Sequence, residues 1–280
     1  MSGFRYSHPR DQLLRTATSV TVSLANALTD YGAENLSIGD PAHPFKADAG
    51  TVRVVWGWAS PVFPKLIALL NSNLDVAARW QGHTSSDFDG SPGPDIDVAF
   101  GVPAYNAQTG FFTSPWLNMS AYEAKPFWSL LVTANTLDAI VGELWAGSDI
   151  RDVAHHLLLD GASLNLDSNA VIHQTGYGVD LSYEQTTERE SMTGQLYLET
   201  PAEHAAVRAW VQAARRNARP CVVVPDVDVD DAWHVKLTEA VFAVKPTVPG
   251  ASAQAPEQAE VMLGFRMTSR GMPWVDPDAD

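Results

Sequence analysis

Two short stretches of this chain crowd carboxylates together, and carboxylates at that spacing are what a hard cation takes as ligands. The first is Asp87, Asp89, Asp95 and Asp97, in a Ser/Gly/Pro-rich stretch. Such a loop either shares a cation with backbone carbonyls or is simply kept soluble by its charge; the residues alone leave both readings open. The second is Asp226-Val227-Asp228-Val229-Asp230-Asp231. A calcium loop of the EF-hand type needs glycine at its sixth position and a bidentate glutamate at its twelfth. Asp231 and Leu237 stand there instead, so a solvated turn is the better account.

Other chemistry finds less support. His155 and His156 are adjacent, and on a strand their rings face opposite ways, so they cannot chelate one ion. No His-Glu-x-x-His, Gly-x-Ser-x-Gly or glycine-rich loop ending in Lys-Ser/Thr occurs, which removes the usual signs of a metalloprotease, a serine hydrolase and a phosphate cradle. Two acids could still meet in a fold to cleave glycosides, but the sequence singles out no pair. The lone cysteine, Cys221, sits in the apolar run Cys221-Val222-Val223-Val224 and reads as a small buried hydrophobe. No catalytic residue, metal site or cofactor site is assigned, and the chain is read as a non-enzyme.

Aromatic residues say more. Trp56, Trp58, Trp128 and Trp145 lie on alternating or apolar runs and are assigned to core. Phe111, Phe112 and Trp116 stand among Thr, Ser and Gly. They are the candidate contacts to a ligand or partner, because aromatic faces stack on sugar rings and anchor interfaces.

Elements must position these groups. The 280 residues carry a net charge of −15, which disfavours phosphate backbones and anionic membrane surfaces as partners. No apolar run is long enough to span a membrane, and Met1 to Arg15 lacks the apolar core of a secretion signal. The length suits two domains, placed at 1–150 and 151–280. Val52, Val54, Trp56 and Trp58 alternate as one strand face. Lys65–Leu70, Val76–Trp80, Phe127–Val132 and Ile140–Gly147 give further strands, and short strands with turns between them predict a β-sandwich. In the second half, Cys221–Val224, Val235–Val244 and Val261–Met267 read as strands. One helix is predicted over 201–217. Thr200 and Glu203 form a capping box, Pro201 takes the first position, and Val207, Trp210, Val211 and Ala214 share one face. Arg215, Arg216 and Arg219 gather at its end, where the helix dipole favours cations.

The first half carries a recognisable order: Asn26-Ala27-Leu28-Thr29-Asp30, the tryptophan strand, Pro64-Lys65-Leu66-Ile67-Ala68-Leu69-Leu70-Asn71-Ser72-Asn73-Leu74, and Gly142-Glu143-Leu144-Trp145-Ala146-Gly147. Over roughly 17–150 it resembles the galactose-binding-like (discoidin-like) β-sandwich found in tail proteins of bacteriophages and related particles. Of the arginines such modules often carry near these strands, Arg79 in Ala77-Ala78-Arg79-Trp80 is the one matched. The strand pair, the helix with Trp210, and Arg219-Pro220-Cys221-Val222-Val223-Val224-Pro225-Asp226 resemble the tail-tube-like β-barrel of distal tail or baseplate proteins.

The resemblance implies a mainly β chain: a galactose-binding-like β-sandwich, then a tail-tube-like β-barrel with one flanking helix. It implies a virion structural protein of the tail tip or baseplate, assembled in the host cytoplasm. Its partners would be other tail proteins and further copies of itself in a ring. A carbohydrate-binding module for host-surface glycans is the alternative, and a glycan-active enzyme the second. Specific nucleic-acid binding and membrane insertion are not expected.

Overall fold

The computed structural model describes residues 3–9, 11–24, 31–38, 44–90, 93–106, 111–158, 165–167, 170–174, 180–184, 189–217, 220–244 and 259–269. Asn26–Asp30, Arg219 and the acidic end of the chain lie outside them, as do the side chains of Phe111, Arg215 and Arg216.

The first half is the expected β-sandwich. A five-stranded sheet takes β2 (Ser19–Ser23), β4 (Gly50–Val62), β11 (Lys125–Asn135), β6 (Arg79–His83) and β7 (Ile96–Ala99), in that order. A four-stranded sheet takes β10 (Trp116–Asn118), β5 (Leu66–Ser72), β12 (Ala139–Gly147) and β3 (Phe45–Ala47). Both are antiparallel. Between them lies a core built on Val52, Val54, Trp56, Trp80, Trp128 and Leu130 from one sheet and Ile67, Leu69, Val141 and Leu144 from the other. Its centre is a ladder of three tryptophans: the rings of Trp80 and Trp128 stack at 5.6 Å, and Trp56 lies 5.9 Å from Trp80. The short helix α1 (Asn35–Ile38) seals one end with Leu36, and β8 (Tyr105–Asn106) pairs with β9 (Phe111–Phe112) at the edge.

The strand expected over Val76–Trp80 runs later, from Arg79 to His83. The reason is local. Asp75 accepts from the Thr136 backbone N–H at 3.2 Å and Asn135 accepts from that of Asp75 at 3.1 Å, which holds the preceding residues in a turn.

The second sheet has seven strands in the order β13 (Ile150–Val153), β1 (Phe4–Ser7), β18 (Cys221–Val224), β19 (Trp233–Val244), β20 (Ala259–Ser269), β17 (Arg189–Leu198) and β14 (Asn165–Asp167). It draws strands from both sides of residue 150, because β1 inserts between β13 and β18. β15 (Ala170–Gln174) and β16 (Asp180–Glu184) form a separate hairpin. The sequence led us to expect a closed barrel here. Among the described residues the seven strands form one ladder with one further bridge, in which Leu158 and Gln195 exchange backbone hydrogen bonds of 2.8 Å, and a barrel is not shown.

The predicted helix is α2 (Pro201–Asn217). Its capping box closes as drawn: the Glu203 N–H donates to Thr200 Oγ1 at 3.1 Å, and the Glu203 carboxylate accepts from the Thr200 N–H at 3.1 Å. Val207, Trp210 and Val211 bury against Phe4, Tyr6, Cys221, Val223, Val261 and Phe265.

The layers therefore run five-stranded sheet, four-stranded sheet, seven-stranded sheet, helix. The alternation in β5 shows how: Ile67 and Leu69 enter the sandwich core, while Leu66, Ala68 and Leu70 pack against Val222, Val224 and Ala232 of the second sheet. A strand buried on both faces has no polar side to display, and that is why Leu66–Leu70 reads as an unbroken apolar run.

Candidate functional site

Of the expected contact residues, Trp116 is half-buried and committed to the seam between the sandwich and the second sheet. Its indole N–H donates to the Val229 carbonyl at 3.0 Å, its backbone N–H donates to Asp230 at 3.0 Å, and the Arg5 guanidinium lies 5.2 Å from its ring centre. It is not an open stacking platform. Phe112 is also half-buried, in the β8–β9 hairpin.

The acidic turn does more than meet solvent. Asp231 accepts from the Ser114 N–H at 2.9 Å, and the Ala232 N–H returns to the Ser114 carbonyl at 2.8 Å. Its carboxylates cap backbone donors of the sandwich and so help dock it. Beside the turn, His156, Leu157, Leu158, Pro225, Val229 and Trp233 line a mostly apolar cleft of 280 Å³. That is just below the usual volume of small-molecule sites.

Within the seam lies a buried acid–imidazole contact. Glu143 of β12 meets His234 Nδ1 of β19 at 3.0 Å, with Trp145 beside the imidazole at 5.6 Å.

The polar groups that converge are on the other side of the sandwich. In β4, β11 and β6 the residues between the core positions face outward: Arg53, Ser129, Gln81 and His83. On an open sheet face these would be solvated, yet they are 5%, 0%, 4% and 6% exposed. The cover is the stretch from Thr84 to Gly90. Ser85 and Asp87 fold it back on itself by accepting from the N–H groups of Asp87 and Asp89, each at 3.1 Å. This turn presses Phe88 down, 5.6 Å from the His83 ring and 5.6 Å from the Arg53 guanidinium.

Beneath Phe88 the groups are linked. Gln81 Oε1 accepts from Arg53 Nη2 at 3.5 Å and from the Ser129 hydroxyl at 3.4 Å. Arg53 Nη1 meets Asp89 at 2.5 Å, whereas Arg53 Nε is buried with no hydrogen-bond partner. Next to His83, Phe127 is half-exposed, and its ring lies over Gly57, where a Cβ would come within 2.9 Å of the ring. A glycine is needed there to let the ring lie flat on the sheet.

The loop aspartates do not gather round one point. Asp89 pairs with Arg53 and Asp97 with Arg79 at 2.7 Å, while Asp95 lies 3.1 Å from Lys125 and 3.5 Å from His83 Nδ1. The Lys125 ammonium holds the Asp95 carboxyl below its usual range, and the hydrogen bond to Asp97 raises the Arg79 guanidinium. Among the described residues no three metal-ligating side chains cluster.

Sequence reasoning missed this cluster. Arg53 was a lone charge in an alternating strand, and the expectation for its face was solvent. One signal was available: Phe88 is the only aromatic in a Ser/Asp/Gly/Pro loop, where an exposed ring has no reason to stand.

No family model and no curated protein matches the chain. Among solved structures, half of it (50%) is similar to all of chitosan-binding module 1 from the chitosanase/glucanase of Paenibacillus sp. IK-5, at 10% identity and a TM-score of 0.36. It is similar to the lectin domain of lectinolysin complexed with Lewis B antigen over 50% of this chain and 98% of that one, at 8% identity and TM-score 0.38. It is also similar to SpGH29, at 15% identity and TM-score 0.37, over 51% of this chain and only 29% of that one.

Proposed function

We propose that the chain is a glycan-binding component, and that the outer face of the five-stranded sheet recognises the sugar. One observation carries this reading: Arg53, Gln81, His83 and Ser129 are gathered and buried on a face that the strand pattern assigns to solvent. Buried polar groups are costly unless matched, so a protein gains nothing in stability by building such a set under a loop. Planar donors and acceptors beside a half-exposed aromatic ring suit sugar hydroxyls and a sugar's apolar face. We read the role as binding rather than turnover.

The test is titration of the purified chain with a panel of methyl glycosides and a glycan array. Phe127→Ala and Gln81→Leu should each weaken binding at least tenfold, about 1.4 kcal/mol. Binding untouched by both changes would remove the face from the account.

A second reading, a structural part of a tail tip or baseplate, has its own observation. On β19 and β20, Val241 and Met262 face each other across the ladder at 49% and 52% exposure. They share the face that, further along the sheet, docks the sandwich. An apolar pair left open there suits burial by a neighbouring subunit. The solution mass of the chain decides this: a closed ring supports it, and a monomer at high concentration does not.

A further inference from the structure

The glycan reading leaves the sugar class open, and the surroundings of Arg53 narrow it. A guanidinium carries five N–H donors in a planar fork that fits a carboxylate through two parallel hydrogen bonds. Arg53 is 5% exposed, and a charge so buried needs a counter-charge. What it has is incomplete. Asp89 engages Nη1 alone, the contact of Nη2 to Gln81 is long at 3.5 Å, and Nε has no hydrogen-bond partner. The fork is filled on one prong.

Asp89 is also easily displaced. Its side chain is 64% exposed, on a loop of Ser, Asp and Gly. Water competes for so exposed a carboxylate, which loosens its hold on Arg53. Charge is divided in a telling way. The sheet supplies the cations Arg53 and Lys125, with His83 between them, and the loop supplies the anions Asp89 and Asp95. When the loop moves aside, Arg53 is left without its counter-charge and Lys125 keeps only the longer contact to Glu123, at 3.9 Å. A neutral sugar cannot replace the missing charge, whereas an acidic one does.

Resting on the glycan-binding reading, we propose that this site selects a sugar bearing a carboxylate, as in a hexuronate, and that Asp89 occupies the carboxylate's place until the ligand arrives. The ligand carboxylate takes both prongs of the Arg53 fork, and the Ser85–Asp89 turn swings outward with Phe88. Asp89 is then a built-in competitor, and the observed affinity is the intrinsic one reduced by the fraction of molecules with the loop open.

The experiment uses the full chain and isothermal titration with methyl β-D-glucuronide, methyl α-D-galacturonide, their neutral methyl glycosides, and acetate. The acidic sugars are expected to bind at least tenfold more tightly than the neutral ones. Asp89→Asn keeps the loop's turn geometry and removes the competitor, so it should tighten every sugar that needs the loop open, the acidic ones several-fold, and leave the acid preference in place. Arg53→Gln should erase the acid preference. Because Arg53 is buried and Asp89 is its counter-charge, both variants are judged only if their thermal unfolding stays cooperative; the wild-type comparison of acidic with neutral sugars tests the proposal whatever they do. Equal affinity for acidic and neutral sugars, unaltered by Asp89→Asn, overturns the carboxylate proposal and leaves glycan binding intact. Acetate binding as tightly as the uronides removes the sugar from it. No binding of any sugar to either wild type or Asp89→Asn overturns the glycan reading itself.

Discussion

The sandwich has two outward faces, and the chain covers them in opposite ways. The four-stranded sheet presents Leu66, Ala68, Leu70 and Trp145, and a whole second sheet is packed on them. The five-stranded sheet presents Arg53, Gln81, His83 and Ser129, and a loop anchored by Phe88 lies over them. Apolar area buried between rigid layers is stabilising in proportion to its extent, so the first cover is permanent. A polar face under an irregular loop gains little from being dry and much from a matching ligand, so the second cover is removable. Burial alone does not distinguish an architectural surface from a working one. The chemistry of what is buried, and of what buries it, does.

The strongest way to break this contrast is at Glu143 and His234, a buried acid–imidazole contact beside the apolar residues of the seam. Glu143 is 1% exposed. His234→Leu leaves the Glu143 carboxyl group buried without its partner and should cost about 3–5 kcal/mol. Urea unfolding followed by tryptophan fluorescence measures it. Glu143→Leu combined with His234→Leu should recover most of the loss, since a dry apolar pair suits the seam. If the double variant is as unstable as the single, the pair is a specific lock rather than a tolerated charge.

A smaller effect comes from β1. Burial of the Tyr6 hydroxyl is the main cause that pushes it up to about 12, and that hydroxyl has no hydrogen-bond partner. Below pH 10 tyrosine is protonated in both native and unfolded chains. Between pH 10 and 12 the unfolded chain releases the proton and the native one does not, so stability falls as pH rises. Two units correspond to roughly 2–3 kcal/mol. Tyr6→Phe should flatten this part of the pH–stability curve. If the seam is permanent, the sandwich tryptophans unfold in the same alkaline transition; a separate sandwich transition would show that the two sheets part easily.

How far the sequence carried is clear at particular residues. Helix Pro201–Asn217 was legible to its cap because Thr200, Pro201, Glu203 and the Val207–Ala214 face all point to one element. The tryptophan strands were legible because period two survives in them. β1 was not: Phe4 and Tyr6 face α2 while Arg5 pairs with Asp152 at 2.6 Å, and four residues give too little period to recognise. What Trp116 touches was not legible, because its cover, the Asp226–Asp231 turn, arrives from more than a hundred residues away. Arg53 was missed for the same reason at shorter range. Sequence pattern reports which side of a strand a residue takes; it does not report what later folds across that side.

The smallest effect on stability is the most telling about the loop-covered face. Arg53→Met removes a buried charge with an unfilled donor and leaves Asp89, which is already solvated, without penalty. An apolar side chain of similar length fits beneath Phe88. Replacing buried charges with apolar groups is often neutral or stabilising. The variant should therefore unfold within about 1 kcal/mol of wild type, on either side of zero, while losing ligand binding. Thermal unfolding and titration on the same sample separate the two. A loss of several kcal/mol would mean that Arg53 holds the sandwich together as Glu143 and His234 hold the seam, and the two faces would then differ in polarity but not in purpose. Near-neutral stability with binding gone would place Arg53 where structural need cannot explain it, since a charge that the fold does not require and the ligand does is kept for the ligand.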